Sequence, residues 1–101
     1  MILEVAEGIQ YQTSDEQIAY SITTTNWAST PGSPAAVAYD EVDNSVVTST
    51  VFPVNSPSVN GDVITLSLLR ALTKRHTYRI EVQFTSGGNT WECYFRVSCP
   101  I

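Results

Sequence analysis

Tyr78-Arg79-Ile80-Glu81-Val82-Gln83-Phe84-Thr85-Ser86-Gly87-Gly88-Asn89-Thr90-Trp91-Glu92-Cys93-Tyr94-Phe95-Arg96-Val97 decides the fold. Tyr78, Ile80, Val82 and Phe84 alternate with polar residues, Ser86-Gly87-Gly88-Asn89 interrupts, and Trp91, Cys93, Phe95 and Val97 resume the alternation. Two period-2 apolar runs about a Gly-Gly turn predict a β-hairpin with one buried face. A turn centred on Gly87-Gly88 sets Phe84 against Trp91, Val82 against Cys93, Ile80 against Phe95 and Tyr78 against Val97. The other face then pairs Gln83 with Glu92, Glu81 with Tyr94 and Arg79 with Arg96, a composition suited to solvent. A slip of one residue would turn Arg79, Glu81 and Gln83 into the buried row, so the pattern specifies its own register.

Working outward, the rest of the chain reads as strand and turn. Residues 1–5 and 9–12 are expected as a short first strand, interrupted at Gly8, in the manner of an edge strand that bulges or switches sheets. Ile18, Tyr20 and Ile22 alternate with polar or small neighbours and predict a second strand. Residues 24–34, rich in Thr, Ser, Asn and Pro, read as a long connection carrying Trp27. Residues 36–42 and 46–52 predict a second hairpin around Asp43-Asn44-Ser45. Asn60-Gly61, between Val59 and Val63, predicts another tight turn. Ile64, Leu66 and Leu68 are expected to share one face of a strand, with one helical turn following near residues 69–73; a helix over 64–72 is the competing reading. Seven or eight strands at intervals of about ten residues give an all-β antiparallel sandwich in one domain spanning residues 1–101.

Composition agrees with that class. The chain has 101 residues, few charges and a formal net charge of −5. Its fixed cations are Arg70, Lys74, Arg75, Arg79 and Arg96, too few for the basic footprint that nucleic acid or an anionic membrane requires. The cluster from Arg70 to His76 reads as a solvated turn rather than a phosphate site. Cys93 and Cys99 lie on one strand with backbones about 20 Å apart at the usual rise per residue. Bridging needs Cα atoms within about 7 Å, so free thiols and a reducing cytoplasm are expected. The acidic N-terminus does not resemble a secretory signal, and no apolar window reaches membrane-spanning length.

No group of residues announces a catalytic chemistry. His76 is the only histidine; it sits in a Lys-Arg-His turn with no acid nearby in sequence, and a solvated turn residue is the reading preferred over a general base. Cys93 belongs to the buried row and should behave as a small hydrophobe. Its replacement by Ser is expected to destabilise, whereas Cys99→Ser is expected to be near neutral. Asp40-Glu41-Val42-Asp43-Asn44 lacks the periodicity and closing glutamate of a calcium loop and reads as a solvated hairpin end. No enzyme activity, cofactor or metal is therefore expected. Trp27 is either a plug over one end of the sandwich or an exposed aromatic for a partner. Trp91 faces inward by the register. Arg79 opposite Arg96 is a like-charge pair, unfavourable unless Glu81 or an acid of a neighbouring subunit relieves it.

Leu72-Thr73-Lys74-Arg75-His76-Thr77-Tyr78-Arg79-Ile80-Glu81-Val82 resembles a stretch of fibronectin type III and related immunoglobulin-like domains. The resemblance implies that fold, and makes Tyr78 the corner tyrosine whose hydroxyl bonds back to the chain upstream. Lys74-Arg75 departs from the Pro-Gly common there. The succession Asp15-Glu16-Gln17-Ile18-Ala19-Tyr20-Ser21-Ile22, Trp27, Val59-Asn60-Gly61-Asp62-Val63, Tyr78 to Val82 and Gly87-Gly88 is similar to small structural proteins of phages and prophages. That likeness implies a virion or assembly component, made in the cytoplasm, acting by self-association or by contact with capsid or tail subunits. Trp27, Arg79 and Arg96 are then the interaction candidates, and Tyr78, Trp91 and Cys93 the structural ones. A ligand- or carbohydrate-binding module of a larger bacterial surface protein is the alternative.

Overall fold

The computed structural model describes residues 2–4, 9–25 and 28–101. Its centre is the hairpin of β8 (His76–Ser86) and β9 (Asn89–Cys99), whose register pairs Phe84 with Trp91, Val82 with Cys93, Ile80 with Phe95 and Tyr78 with Val97. The polar face pairs as the alternation requires, including Arg79 with Arg96. Gly87 and Gly88 both take positive φ, 59° and 78°, the conformation that a two-residue hairpin loop matched to strand twist demands.

Two sheets form around this hairpin. The larger runs β1 (Ile2–Glu4), β9, β8, β4 (Gly32–Asp40) and β5 (Ser45–Val46), with β2 (Gln10–Tyr11) also on β9. β1 and β2 both pair with β9 in parallel, at residues 92–94 and 97–98, so the broken first strand stays on one sheet edge. The smaller sheet orders β3 (Ser21–Thr23), β7 (Val63–Thr65) and β6 (Ser58–Asn60) antiparallel. Ile22 and Ile64 from this sheet join Ala36, Ala38, Ile80, Val82, Phe84, Cys93, Phe95 and Val97 from the other in one buried cluster. The result is an all-β, two-sheet architecture of sandwich type.

Several sequence expectations are corrected. The second strand of the hairpin expected over residues 36–42 and 46–52 is cut short after Val46, because α1 (Thr48–Val51) follows. A strand would send one of two consecutive residues outward, and here Val51 and Phe52 are both buried. β4 begins at Gly32, so the long connection stops short of Pro34. The turn after β6 is centred on Gly61-Asp62, not Asn60-Gly61, since Asn60 pairs with Val63 and Gly61 alone takes positive φ. Ile64 and Leu66 are buried, but Leu68 is exposed and Leu69 takes its place inside, bridged to Ile18. No helical turn forms at residues 69–73; Ala71 has φ 57°, which a right-handed helix excludes.

Candidate functional site

The outer face of the larger sheet carries most of the side chains singled out in the sequence. Alternation places Ala35, Val37 and Tyr39 of β4, Arg79, Glu81 and Gln83 of β8, and Glu92, Tyr94 and Arg96 of β9 on it, in cross-strand rows. One row runs Val46, Tyr39, Arg79, Arg96; the next runs Val37, Glu81, Tyr94. Val37 and Val46 are exposed, and Tyr39 and Tyr94 half-buried.

The two adjacent arginines are held by acids of this same chain. Arg96 Nε donates to Glu41 Oε1 at 2.9 Å, and Arg79 Nη1 lies 3.7 Å from Glu41 Oε2. Arg79 Nε also donates to Glu81 Oε2 at 2.8 Å, and its guanidinium lies 4.8 Å from the centre of the Tyr39 ring. Glu81 pairs with Arg79, and Glu41 bridges both cations. A neighbouring subunit's acid is therefore not needed. Glu41 reaches this position because its own N–H donates to Thr77 O at 2.8 Å, continuing the β4–β8 ladder one residue past the strand.

At the end of the same ladder, His76 Nδ1 lies 2.6 Å from Asp40 Oδ2. This corrects the reading of His76 as a turn residue without an acid. A carboxylate accepts, which places the ring proton on Nδ1. Asp40 Oδ1 in turn accepts from Val42 N–H, and Asp43 Oδ1 from Ser45 N–H, both at 3.0 Å. The acidic run is thus a folded turn whose first two carboxylates point back to the sheet. Ser45 holds the exposed Asp43 carboxyl below its usual range. Among the described residues, no three His, Cys, Asp or Glu side chains stand together as a metal site.

Tyr78 is buried, and its hydroxyl accepts from Thr73 N–H at 2.7 Å, five residues upstream. The turn between them closes with His76 N–H donating to Thr73 O, and Arg75 holds φ 69°, a conformation glycine adopts more readily. Cys93 is fully buried, and its thiol is pushed up to about 12, first by burial and then by Glu92. Cys99, expected to tolerate Ser, is equally buried. It belongs to the same row as Cys93, Phe95 and Val97, and its Sγ lies 3.5 Å from Ile101 O. Trp91 packs partly buried against the core, with Nε1 donating to Ser86 O at 3.3 Å. Trp27 lies outside the described residues.

Sequence reasoning missed Tyr39 and Gln12, and it read Asp40 and Glu41 as a solvated hairpin end without their partners His76 and Arg96. Gln12 is buried with every polar atom used: Nε2 donates to Leu69 O at 2.7 Å and Glu16 O at 3.0 Å, and Oε1 accepts from Tyr20 at 3.0 Å. A lone Gln before Thr13-Ser14-Asp15 gives no signal in sequence that its partner lies 57 positions away. Among the described residues no helix is long and apolar enough to cross a membrane. No family model, curated protein sequence or solved structure matches the chain.

Proposed function

We propose that this chain is an immunoglobulin-like sandwich serving as a non-catalytic protein-interaction domain, with a phage or prophage virion or assembly component as the specific role. Supporting the fold, β4-β8-β9 and β3-β7-β6 follow the C-F-G and B-E-D strand orders of that architecture. Tyr78 also makes the upstream bond of a corner tyrosine.

The observation that carries the function is the outer face of the larger sheet. Tyrosine and arginine are enriched in protein interfaces, because each combines contact area with directed hydrogen bonding. Here Tyr39, Tyr94, Arg79 and Arg96 lie side by side, flanked by exposed Val37 and Val46, and the arginines are fixed before any partner arrives. Fixing them in advance lowers the entropy lost on contact. The assembly role itself rests on the sequence resemblance to small phage structural proteins alone, since no family model, curated protein sequence or solved structure matches the chain.

The test is association of the purified protein, measured by light scattering over a concentration series, for the wild type and for Tyr94→Ala and Val37→Asp. Assembly through this face predicts a mass that rises with concentration and falls back in both variants. A wild type that remains monomeric throughout, together with flanking genes that encode no capsid or tail protein, removes the reading. A reading frame continuous with a larger surface protein would instead favour the module.

A further inference from the structure

The edge of β4 that faces away from β8 is covered largely without a strand. Successive residues of an antiparallel strand address opposite neighbours. Because Glu41 N–H donates to Thr77 O, Val37 and Tyr39 address β8, while Ala36, Ala38 and Asp40 address the other side. There β5 supplies only Ser45–Val46, pairing with Asp40 and Tyr39. Pro34 and the register shift between Gly32 and Ala35 blunt the start of this edge and the buried Asp40 lies at its end, but Ala35-Ala36-Val37-Ala38-Tyr39 between them carries no proline or charge of the kind that commonly keeps edge strands apart.

The chain that follows β5 occupies this edge without forming a strand. Val47 N–H donates to Ala38 O at 2.9 Å, and Ala38 N–H donates to Thr48 Oγ1 at 3.0 Å. Asn55 Nδ2 donates to Ala36 O at 3.0 Å. Between these contacts, α1 turns the chain and buries Val51 and Phe52, anchoring the segment. Side chains thus satisfy backbone groups that a further strand would otherwise use.

We propose that residues 47–55 are an intramolecular cover that closes the β4 edge to strand addition by a second copy of this chain. A second copy is the relevant competitor because the same bare edge on two molecules can pair antiparallel about a two-fold axis. This inference does not depend on the outer face being an interface.

The experiment compares the wild type with Thr48→Val, Asn55→Ala and the double variant, using Ile64→Val as a control weakened in the other sheet. Folding is verified by circular dichroism, association by light scattering and thioflavin fluorescence, and the Ala38 amide by hydrogen exchange. The double variant is expected to show faster Ala38 exchange and concentration-dependent association with a thioflavin signal absent from wild type and control. Association through the outer face would be common to all four proteins, so it is distinguishable. The cover is disproved if the folded double variant matches wild type in mass and thioflavin signal, or if Ile64→Val associates as much. Should the double variant not fold, Asn55→Ala, at an exposed residue, decides by the same readouts.

Discussion

Asp40 and His76 meet at 2.6 Å across the end of the β4–β8 ladder, although they are 36 positions apart in sequence. Asp40 is buried at 8% exposure and also accepts from Val42 N–H, so one carboxylate joins the acidic turn to the start of the central hairpin. Asp40→Ala should cost about 1–3 kcal/mol, since it removes a charged acceptor serving two donors. Comparing Asp40→Ala, His76→Ala and the double variant by urea denaturation should give a coupling of at least about 0.5 kcal/mol. Strict additivity would show that the contact contributes nothing.

Glu41 spans Arg96 and Arg79, two guanidinium groups on adjacent strands, and its removal takes away the carboxylate they share. Glu41→Gln should lower stability by up to about 1 kcal/mol, the upper range for a partly exposed pair. Added salt should narrow the gap from wild type, because screening weakens both the lost attraction and the repulsion it held in check. A gap that widens with salt would contradict this account.

Tyr78→Phe keeps the buried ring and removes the acceptor for Thr73 N–H. The expected loss is about 1 kcal/mol in urea denaturation, with an unchanged m-value. A neutral effect would mean that water replaces the hydroxyl at no cost.

Arg75 pays for a left-handed backbone that glycine accepts freely. Arg75→Gly should therefore raise stability slightly, by less than about 1 kcal/mol, because relief of that strain is partly offset by the greater freedom of glycine in the unfolded chain. A shift of the urea midpoint to lower concentration would refute it.

Cys93 and Cys99 are both buried, and burial raises both thiols, so neither should react with an alkylating reagent until the protein unfolds. Cys93→Ser should cost about 1–3 kcal/mol by placing a hydroxyl among apolar atoms, whereas the hydroxyl of Cys99→Ser has Ile101 O as an acceptor and should cost less.

Alkaline pH should weaken the fold for the same reason. Burial pushes Cys93 up to about 12, and burial followed by Glu16 pushes Tyr20 up to about 12, whereas the unfolded groups titrate near 8.5 and 10. Above those unfolded values the unfolded chain releases protons that the folded one retains. Stability from these groups is thus intact below about pH 8 and falls as pH rises toward about 12. Urea midpoints measured from about pH 8 to 10 should decline, and less steeply in Cys93→Ala.

The alternation from Tyr78 to Val97 was enough to set the register of β8 on β9, because a strand with one buried face has only one parity that keeps charge out of the core. The same parity, carried two residues further, places Cys99 inside; the apolar row does not end at Val97. Local turn chemistry likewise marked the Gly87-Gly88 loop and located the loop near Gly61 to within one residue. It failed at residues 47–52, where strand-favouring Val and Thr are bent into α1 so that Val51 and Phe52 can both enter the core.

Sequence by itself therefore determined the β class, the central hairpin, its inward and outward faces and the burial of Cys93. Only the tertiary structure decided that β4 lies beside β8, and with it that Asp40 meets His76 and Glu41 meets Arg96. The physical reason is one of range. Alternation is a property of neighbours along the chain, and burial of a face fixes it locally. Partners 36 and 55 positions apart are brought together only by the order of strands in the sheet, which local alternation does not encode.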